Sequence, residues 1–286
     1  MEWGGEFLMK EWYFIIDVAK CWDCNNCFIA CKDEHEGNDW PGYTMAQPRH
    51  DQRWINVHRR ERGQYPLIDV AYRPTPCMHC KDAPCVAASN GAITRREDGI
   101  VLIDPEKSVG RKDLVASCPY GVMFWNEEKN IPQKCTMCAH LLDDGWSQPR
   151  CAQACFTGAL KALCEEEEDI LRLVKSEDLQ PLHPEKGTRP NVYYKNLHLF
   201  DKVFIAGSAA VRNNDVVDCA QGIRVKLSRG EEVVQESVTD TFGDFKFDRL
   251  PKDSGEYTVE LQPEGRSAQS LRLDLATSIN LGTIMV

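Results

Sequence analysis

Fourteen cysteines are placed along this 286-residue chain in a pattern that few folds can accommodate. Twelve fall into runs: Cys21, Cys24, Cys27 and Cys31; then Cys77, Cys80 and Cys85; then Cys118, followed by Pro119; then Cys135, Cys138, Cys151 and Cys155. Three cysteines at i, i+3 and i+6 let a tight loop reach three corners of a 4Fe–4S cubane, and a distant fourth thiolate closes the cage. The first run has the spacing of bacterial two-cluster ferredoxins, whose fourth cysteine serves the other cluster of the pair. Disulfides suit this spacing poorly, because C-x2-C loops rarely bridge without strain and a chain of this size does not need stapling. Zinc would explain Cys77/Cys80 and Cys135/Cys138 as halves of a four-cysteine site, yet it leaves the third cysteine of two runs without a task. The pattern implies electron transfer.

Composition narrows the partners. A net charge of -10 argues against nucleic acid or an anionic membrane. No apolar stretch approaches bilayer length. Met1–Lys10 lacks a cationic region followed by an apolar one, so no signal peptide is expected. The expected location is the cytoplasm, unless the protein leaves folded on a partner that carries the signal.

The cysteine-rich part is expected to occupy residues 1–178, with an acidic amphipathic helix near its end around Ile170, Leu171, Leu173 and Val174. Residues 179–202 hold several prolines and read as a linker or strap. From 203 to 286 the pattern turns to alternation: Ile223, Val225 and Leu227; Phe245 and Phe247; Tyr257, Val259 and Leu261; Leu271, Leu273 and Leu275. Period two with short polar turns marks six or seven half-buried antiparallel strands. The fold class is therefore α+β: a nested double ferredoxin-like 4Fe–4S domain followed by a small all-β sandwich or barrel. The stretch Thr239–Phe247 with Gly255–Val259 resembles transthyretin-like or Cna-B-like modules.

Spacing can also be read as wiring. In a two-cluster ferredoxin each triplet takes its fourth ligand from the other run. Cys21, Cys24 and Cys27 would then take Cys155, while Cys135, Cys138 and Cys151 take Cys31. Between these runs Cys77, Cys80 and Cys85 would be completed by Cys118. A fourth cluster would draw on Ser89, Ser108, Arg111 and Leu114, none of which is a thiol. Three clusters and one vacated site are expected. Arg111 either replaces the cluster's charge or is an ordinary surface arginine.

This arrangement resembles the iron–sulfur subunits of the dimethyl sulfoxide reductase superfamily. Finer signatures are Ile15–Cys21, Tyr72–Cys80, Cys118–Met123 and Lys134–Asp144. They resemble the small subunits of the pyrogallol–phloroglucinol transhydroxylase family. The resemblance implies a heterodimer or larger assembly with a catalytic subunit that holds molybdenum or tungsten on two pterin guanine dinucleotides. That partner would hydroxylate, dehydroxylate or transhydroxylate phenolic rings.

No catalytic constellation is legible in this chain, which is expected to be non-catalytic on its own. His79 and His140 neighbour cluster cysteines and either tune their potential or, the more ordinary reading, simply pack beside their loops. Val86, Ile93, Val122 and Phe156 are expected to shield the clusters from water. Arg49, His50, Arg53, Arg59, Arg60 and Arg62, with Trp54 and Tyr65, have the composition of an interface core, though a solvated hairpin explains them equally. A free-standing polyferredoxin is the alternative function.

Overall fold

The computed structural model describes residues 10–213 and 215–286, so most of Met1–Lys10 lies outside the described residues. The chain divides into two units. One comprises the residues up to Arg59 with Tyr72–Leu197, and the other Arg60–Ala71 with His198–Val286.

The first unit opens on β1 (Glu11–Asp17) and α1 (Asn26–His35). A hairpin of β2 (Asn56–Gln64) and β3 (Leu67–Thr75) follows, its tip counted with the second unit. Next come α2 (Pro84–Ala88) and two short hairpins, β4 (Ile93–Arg95) with β5 (Val101–Ile103) and β6 (Phe124–Asn126) with β7 (Ile131–Gln133). Short helices α3 (Ala139–Asp143) and α4 (Arg150–Gln153) lead to β8 (Leu160–Glu165), α5 (Glu167–Ser176), β9 (Gln180–Pro181) and β10 (Val192–Lys195).

Tyr13, Phe14 and Ile16 are buried in β1, and a strand apolar on both faces belongs inside a sheet. It pairs antiparallel with β8 and parallel with β10, in the order β8-β1-β10-β9. The stretch 179–202, read above as a linker or strap, thus contributes two strands to this sheet. The helix α5 buries Ile170 and carries Glu167, Glu168 and Asp169 in its first turn, where carboxylates face the positive end of the helix dipole.

The second unit begins with α6 (His198–Asp201) and β11 (Val203–Asn213). Then follow β12 (Val216–Cys219), β13 (Arg224–Arg229), β14 (Glu232–Val238), β15 (Asp244–Leu250), β16 (Glu256–Gln262), β17 (Gln269–Asp274) and β18 (Ile279–Met285). One edge of β11 pairs with β15 along Val203–Ser208 and with β12 along Ala210–Asn213; the other edge pairs in parallel with β18. The second sheet runs β14-β13-β16-β17. Val225, Leu227, Phe245, Phe247, Tyr257, Val259 and Leu261 meet in one core with Val203 and Ile205. Alternation therefore buries one face of β13, β15 and β16 as expected. In β17 it holds in part: Leu273 packs against that core and Leu275, just past the strand, is buried in it, while Leu271 on this edge strand is 37% exposed.

Among the described residues, no helix is long and apolar enough to cross a membrane.

Candidate metal centres

All fourteen cysteines are free thiols. Their loops are turned tightly. Asp23 and Asn25 flank Cys24 in the left-handed region, as do His79 between Cys77 and Cys80, and Met137 and Cys138 after Cys135. Such conformations cost about 1–3 kcal/mol per residue and persist where the surroundings impose them, commonly at functional sites. The turns aim backbone amides at sulfur. The His79 amide donates to Cys77 Sγ at 3.5 Å, and the Met137 amide to Cys135 Sγ at 3.3 Å. The Leu160 amide donates to Cys155 Sγ at 3.3 Å.

Burial and mutual repulsion show which thiols lie together. Burial pushes the Cys27 thiol up to about 12, and Cys21, Cys155 and Cys24 push the same way. Burial raises Cys21 too, reinforced by Cys155 and Cys24. Cys31 is raised by burial and then by Cys135 and Cys138, and Cys151 by burial and then by Cys138, Cys135 and Cys31. Burial lifts Cys80 to about 12, with Cys77, Cys85 and Cys118 adding to it, while the Thr188 hydroxyl opposes the shift. Cys85 rises to about 11 by burial and the field of Cys77 and Cys118. Each of these thiols has members of its expected set of four among its neighbours. The middle group adjoins both others: Cys27 acts on Cys31 and Cys151, and Cys77 acts on Cys135.

Buried thiols that repel one another resist ionisation unless a cation compensates, which is the donor chemistry of an iron–sulfur site. Among the described residues no three histidine, cysteine or carboxylate side chains could hold a single metal ion. A cubane asks for a wider set, with each thiolate on its own iron corner. The buried ammonium of Lys134, which donates to the carbonyls of Val101 and Cys135, opposes the burial-driven rise of Cys85, Cys118 and Cys135 alike. Its place between two groups had no signal in the sequence beyond adjacency to Cys135.

At the four non-thiol positions, Ser89, Ser108 and Leu114 are buried. The Arg111 guanidinium donates to the carbonyls of Ser89 and Ala88 and pairs with Asp113 at 2.8 Å. The chain meets its own polar needs there.

Among the described residues, neither His79 nor His140 bonds a thiol through its ring. His79 spends Nδ1 accepting the Val101 amide at 3.0 Å, and His140 Nε2 faces Glu34 Oε1 at 3.0 Å. The imidazole that touches a thiol is His35, with Nε2 3.8 Å from Cys138 Sγ. Among the shielding residues Ile93 and Val122 are buried, but Phe156 is 66% exposed and packs edge-on against Trp22, itself 72% exposed, at 6.3 Å. In the arginine-rich stretch, Trp54 is buried and Arg62 is buried in ion pairs with Asp69 at 2.6 Å and Asp248 at 2.9 Å. Those two are internal rather than interfacial. Cys164 lies in β8 opposite Trp12, and Cys219 is exposed at the end of β12.

Residues 68–164 match the 4Fe-4S dicluster domain family. The chain is 52% identical over 279 residues to the pyrogallol hydroxytransferase small subunit of Pelobacter acidigallici, covering 96% of this chain and 99% of that one. It is 30% identical over 211 residues to a chain of Halobacterium salinarum assigned as a dimethyl sulfoxide reductase iron–sulfur subunit, covering 66% of this chain and 80% of that one. It is 27% identical over 231 residues to the arsenate respiratory reductase iron–sulfur subunit of a Shewanella species, covering 63% of this chain and 94% of that one.

Proposed function

Because this chain belongs to the family of iron–sulfur small subunits that includes the pyrogallol hydroxytransferase small subunit, within the dimethyl sulfoxide reductase superfamily, we propose that it carries three 4Fe–4S cubanes for a catalytic subunit acting on phenolic rings. As a member it is an iron–sulfur electron-transfer subunit of a molybdoenzyme complex. The observation that supports the count is that Cys27, Cys80 and Cys151 each have the thiols of their expected set of four around them. Cys21, Cys24, Cys27 and Cys155 would hold the first cubane. Cys31, Cys135, Cys138 and Cys151 would hold the second, and Cys77, Cys80, Cys85 and Cys118 the third. When bound, such groups supply one-electron couples.

The chain's own residues set the order and insulation of that path. Cys27 and Cys31 share one turn of α1, which ties the first group to the second. Lys134 offsets negative charge between the second and third. Beyond the third, Arg111 closes the line over Ser89.

The other end is open. Cys24 is exposed, and beside this group stand the exposed aromatic pair Trp22 and Phe156 and the exposed Ile29. Exposed aromatic clusters mark interfaces, and the first group is where the catalytic subunit docks. A basic cleft of about 420 Å³ next to Phe28, lined also by Lys32, Arg49, Arg53 and His58, extends this face. The partner would hold molybdenum or tungsten on two pterin guanine dinucleotides, and catalysis belongs to it. The first unit, whose sheet includes the two strands of 179–202, is the iron–sulfur part, and the second is an accessory module of the transthyretin-like or Cna-B-like kind, its two sheets sharing one core.

The test is a joint count of iron, zinc, molybdenum and tungsten on protein purified natively without oxygen. About twelve irons per chain with about one molybdenum or tungsten is expected. About sixteen irons would mean that the fourth site is filled. Zinc in place of iron would remove the electron-transfer reading, and iron without molybdenum or tungsten would favour a free ferredoxin.

A further inference from the structure

We propose that His35 donates its Nε2–H to the sulfur of Cys138 and so holds the middle cluster at a higher reduction potential than its thiolates alone would set. The inference rests on reading Cys31, Cys135, Cys138 and Cys151 as one ligand set.

The placement follows from helical geometry. His35 lies four residues after Cys31 in α1, so both project from one face. A helix that delivers Cys31 to the middle group therefore delivers the residue one turn later to the same place. His35 Nε2 lies 3.8 Å from Cys138 Sγ, within reach of a hydrogen bond to sulfur.

The ring is held on several sides. It packs against Trp54 at 4.8 Å and meets His140 edge-on at 5.4 Å, and Trp40 stacks on His140 at 4.0 Å. Glu34 Oε1 fixes His140 through Nε2 at 3.0 Å, and Gln52 Oε1 accepts from Trp54 Nε1 at 2.9 Å. The His35 carbonyl accepts the Gln47 amide at 2.7 Å. His35 is 1% exposed, so bulk water does not reach the ring.

The tautomer follows from what each ring nitrogen meets. Nδ1 is buried without a partner. A proton there would orphan an N–H inside the protein and turn the Nε2 lone pair toward the lone pairs of sulfur. A proton on Nε2 points at Cys138 and leaves only a lone pair unmet, the less costly of the two. The imidazole is a donor to sulfur.

Hydrogen bonds to cluster sulfurs draw charge from them and stabilise the added electron, which raises the potential. Backbone amides serve Cys77 and Cys155 in the neighbouring groups, and the Thr188 hydroxyl serves Cys80. The middle group adds an imidazole. An electron is thereby favoured in the centre of the line, between two groups that could pass it on. His35 acts through Cys138, so it is a positioning residue.

The experiment is an anaerobic redox titration of the whole complex, monitored by electron paramagnetic resonance, on the natural protein, His35→Phe and His35→Gln. Phenylalanine keeps the volume and removes the donor; glutamine keeps a donor. One midpoint is expected to fall in His35→Phe while the other two stay, with iron still about twelve per chain. His35→Gln should recover part of the shift. Pulsed measurements on the reduced natural protein, with histidine labelled by nitrogen-15, should show a nitrogen coupling to one cluster that His35→Phe removes. Unchanged midpoints in a fully loaded His35→Phe, or no coupling in the natural protein, would overturn the role of His35 alone. If His35→Phe loses iron, the coupling in the natural protein decides. About eight irons in the natural protein, with the middle signal missing, would overturn the middle ligand set and this inference together.

Discussion

Arg111 donates from its guanidinium to the backbone carbonyl of Ser89 at 3.2 Å, joining two of the four positions at which the ferredoxin pattern lacks thiolates. The buried Ser89 hydroxyl in turn donates to the carbonyl of Val86 at 2.8 Å and accepts the Ile93 amide at 3.0 Å. Side chains already engaged with the backbone in this way have nothing left to offer iron. Arg111→Ala and Ser89→Ala are therefore expected to keep about twelve irons per chain. Ser89→Ala should still destabilise the protein by about 1–2 kcal/mol, because the buried Ile93 amide loses its acceptor. Iron analysis with denaturant titration checks both; a drop in iron in either variant would mean that this corner binds metal.

The exposed pair Trp22 and Phe156 yields a second expectation. Large aromatic residues left in water beside an electron-transfer group have the composition of binding hot spots. Trp22→Ala should weaken association with the catalytic subunit by about 2 kcal/mol or more, roughly thirtyfold in Kd. Iron content should not change, since Trp22 is no ligand. Sedimentation or calorimetric titration of the separated subunits reads this directly. An unchanged Kd would move the docking face elsewhere.

How much was legible in the sequence depends on the range of the interaction. Cluster ligands are short-range information, because one residue type must recur at fixed separations. The strands carrying Val225 and Leu227, or Tyr257, Val259 and Leu261, were legible because the pleat points alternate residues to one core. The same alternation brings Leu273 and Leu275 to that core, but nothing local says that Leu271, on a strand at the sheet's edge, stays exposed. Arg62 read as interfacial by type, yet it is buried against Asp248, a partner with no neighbouring signal. His35 was within reach: its position one helical turn past Cys31 was visible. His79 and His140 stand closer to cysteines along the chain, and sequence proximity favoured them over helical phase.

That ion-pair cluster makes the second unit sensitive to acid. Burial alone would raise the Asp248 carboxyl, but hydrogen bonds from Arg62 and the Arg249 amide and the charge of Lys246 bring it below its usual value. Burial likewise works against Asp69, and hydrogen bonds from Lys246 and Arg62 outweigh it. Both groups hold protons less tightly when folded than when unfolded, where an aspartate titrates at about 3.9. The stability they contribute is therefore complete above that value and is lost as pH falls through the lower folded values. Unfolding followed from pH 6 to pH 2 should show the second unit weakening below about pH 4. Asp248→Asn should lower stability at neutral pH and flatten that acid slope. An unaltered slope would mean that the network does not govern the acid response.

Gly243 supplies the last expectation, and the backbone decides it. The residue has φ +79° in the turn between Asp240 and Asp244, and its amide donates to the Asp240 carbonyl at 3.0 Å. Its own carbonyl accepts the Ala209 amide at 2.8 Å, stitching the turn to β11. A Cβ here would lie 2.3 Å from the Ala209 carbonyl oxygen, which is backbone and cannot swing aside. Gly243→Ala thus combines a left-handed conformation unfavourable to alanine with a clash that must displace β11 or the turn. The expected loss is about 1–3 kcal/mol in the second unit. Because Gly243 belongs to the second unit and the cluster cysteines to the first, iron content should stay at its natural value while the β module's transition shifts to lower denaturant. Hydrogen exchange at the Ala209 amide is the sharpest readout. Its protection should fall in Gly243→Ala, and retained protection with unchanged stability would show that the turn absorbs a Cβ without moving.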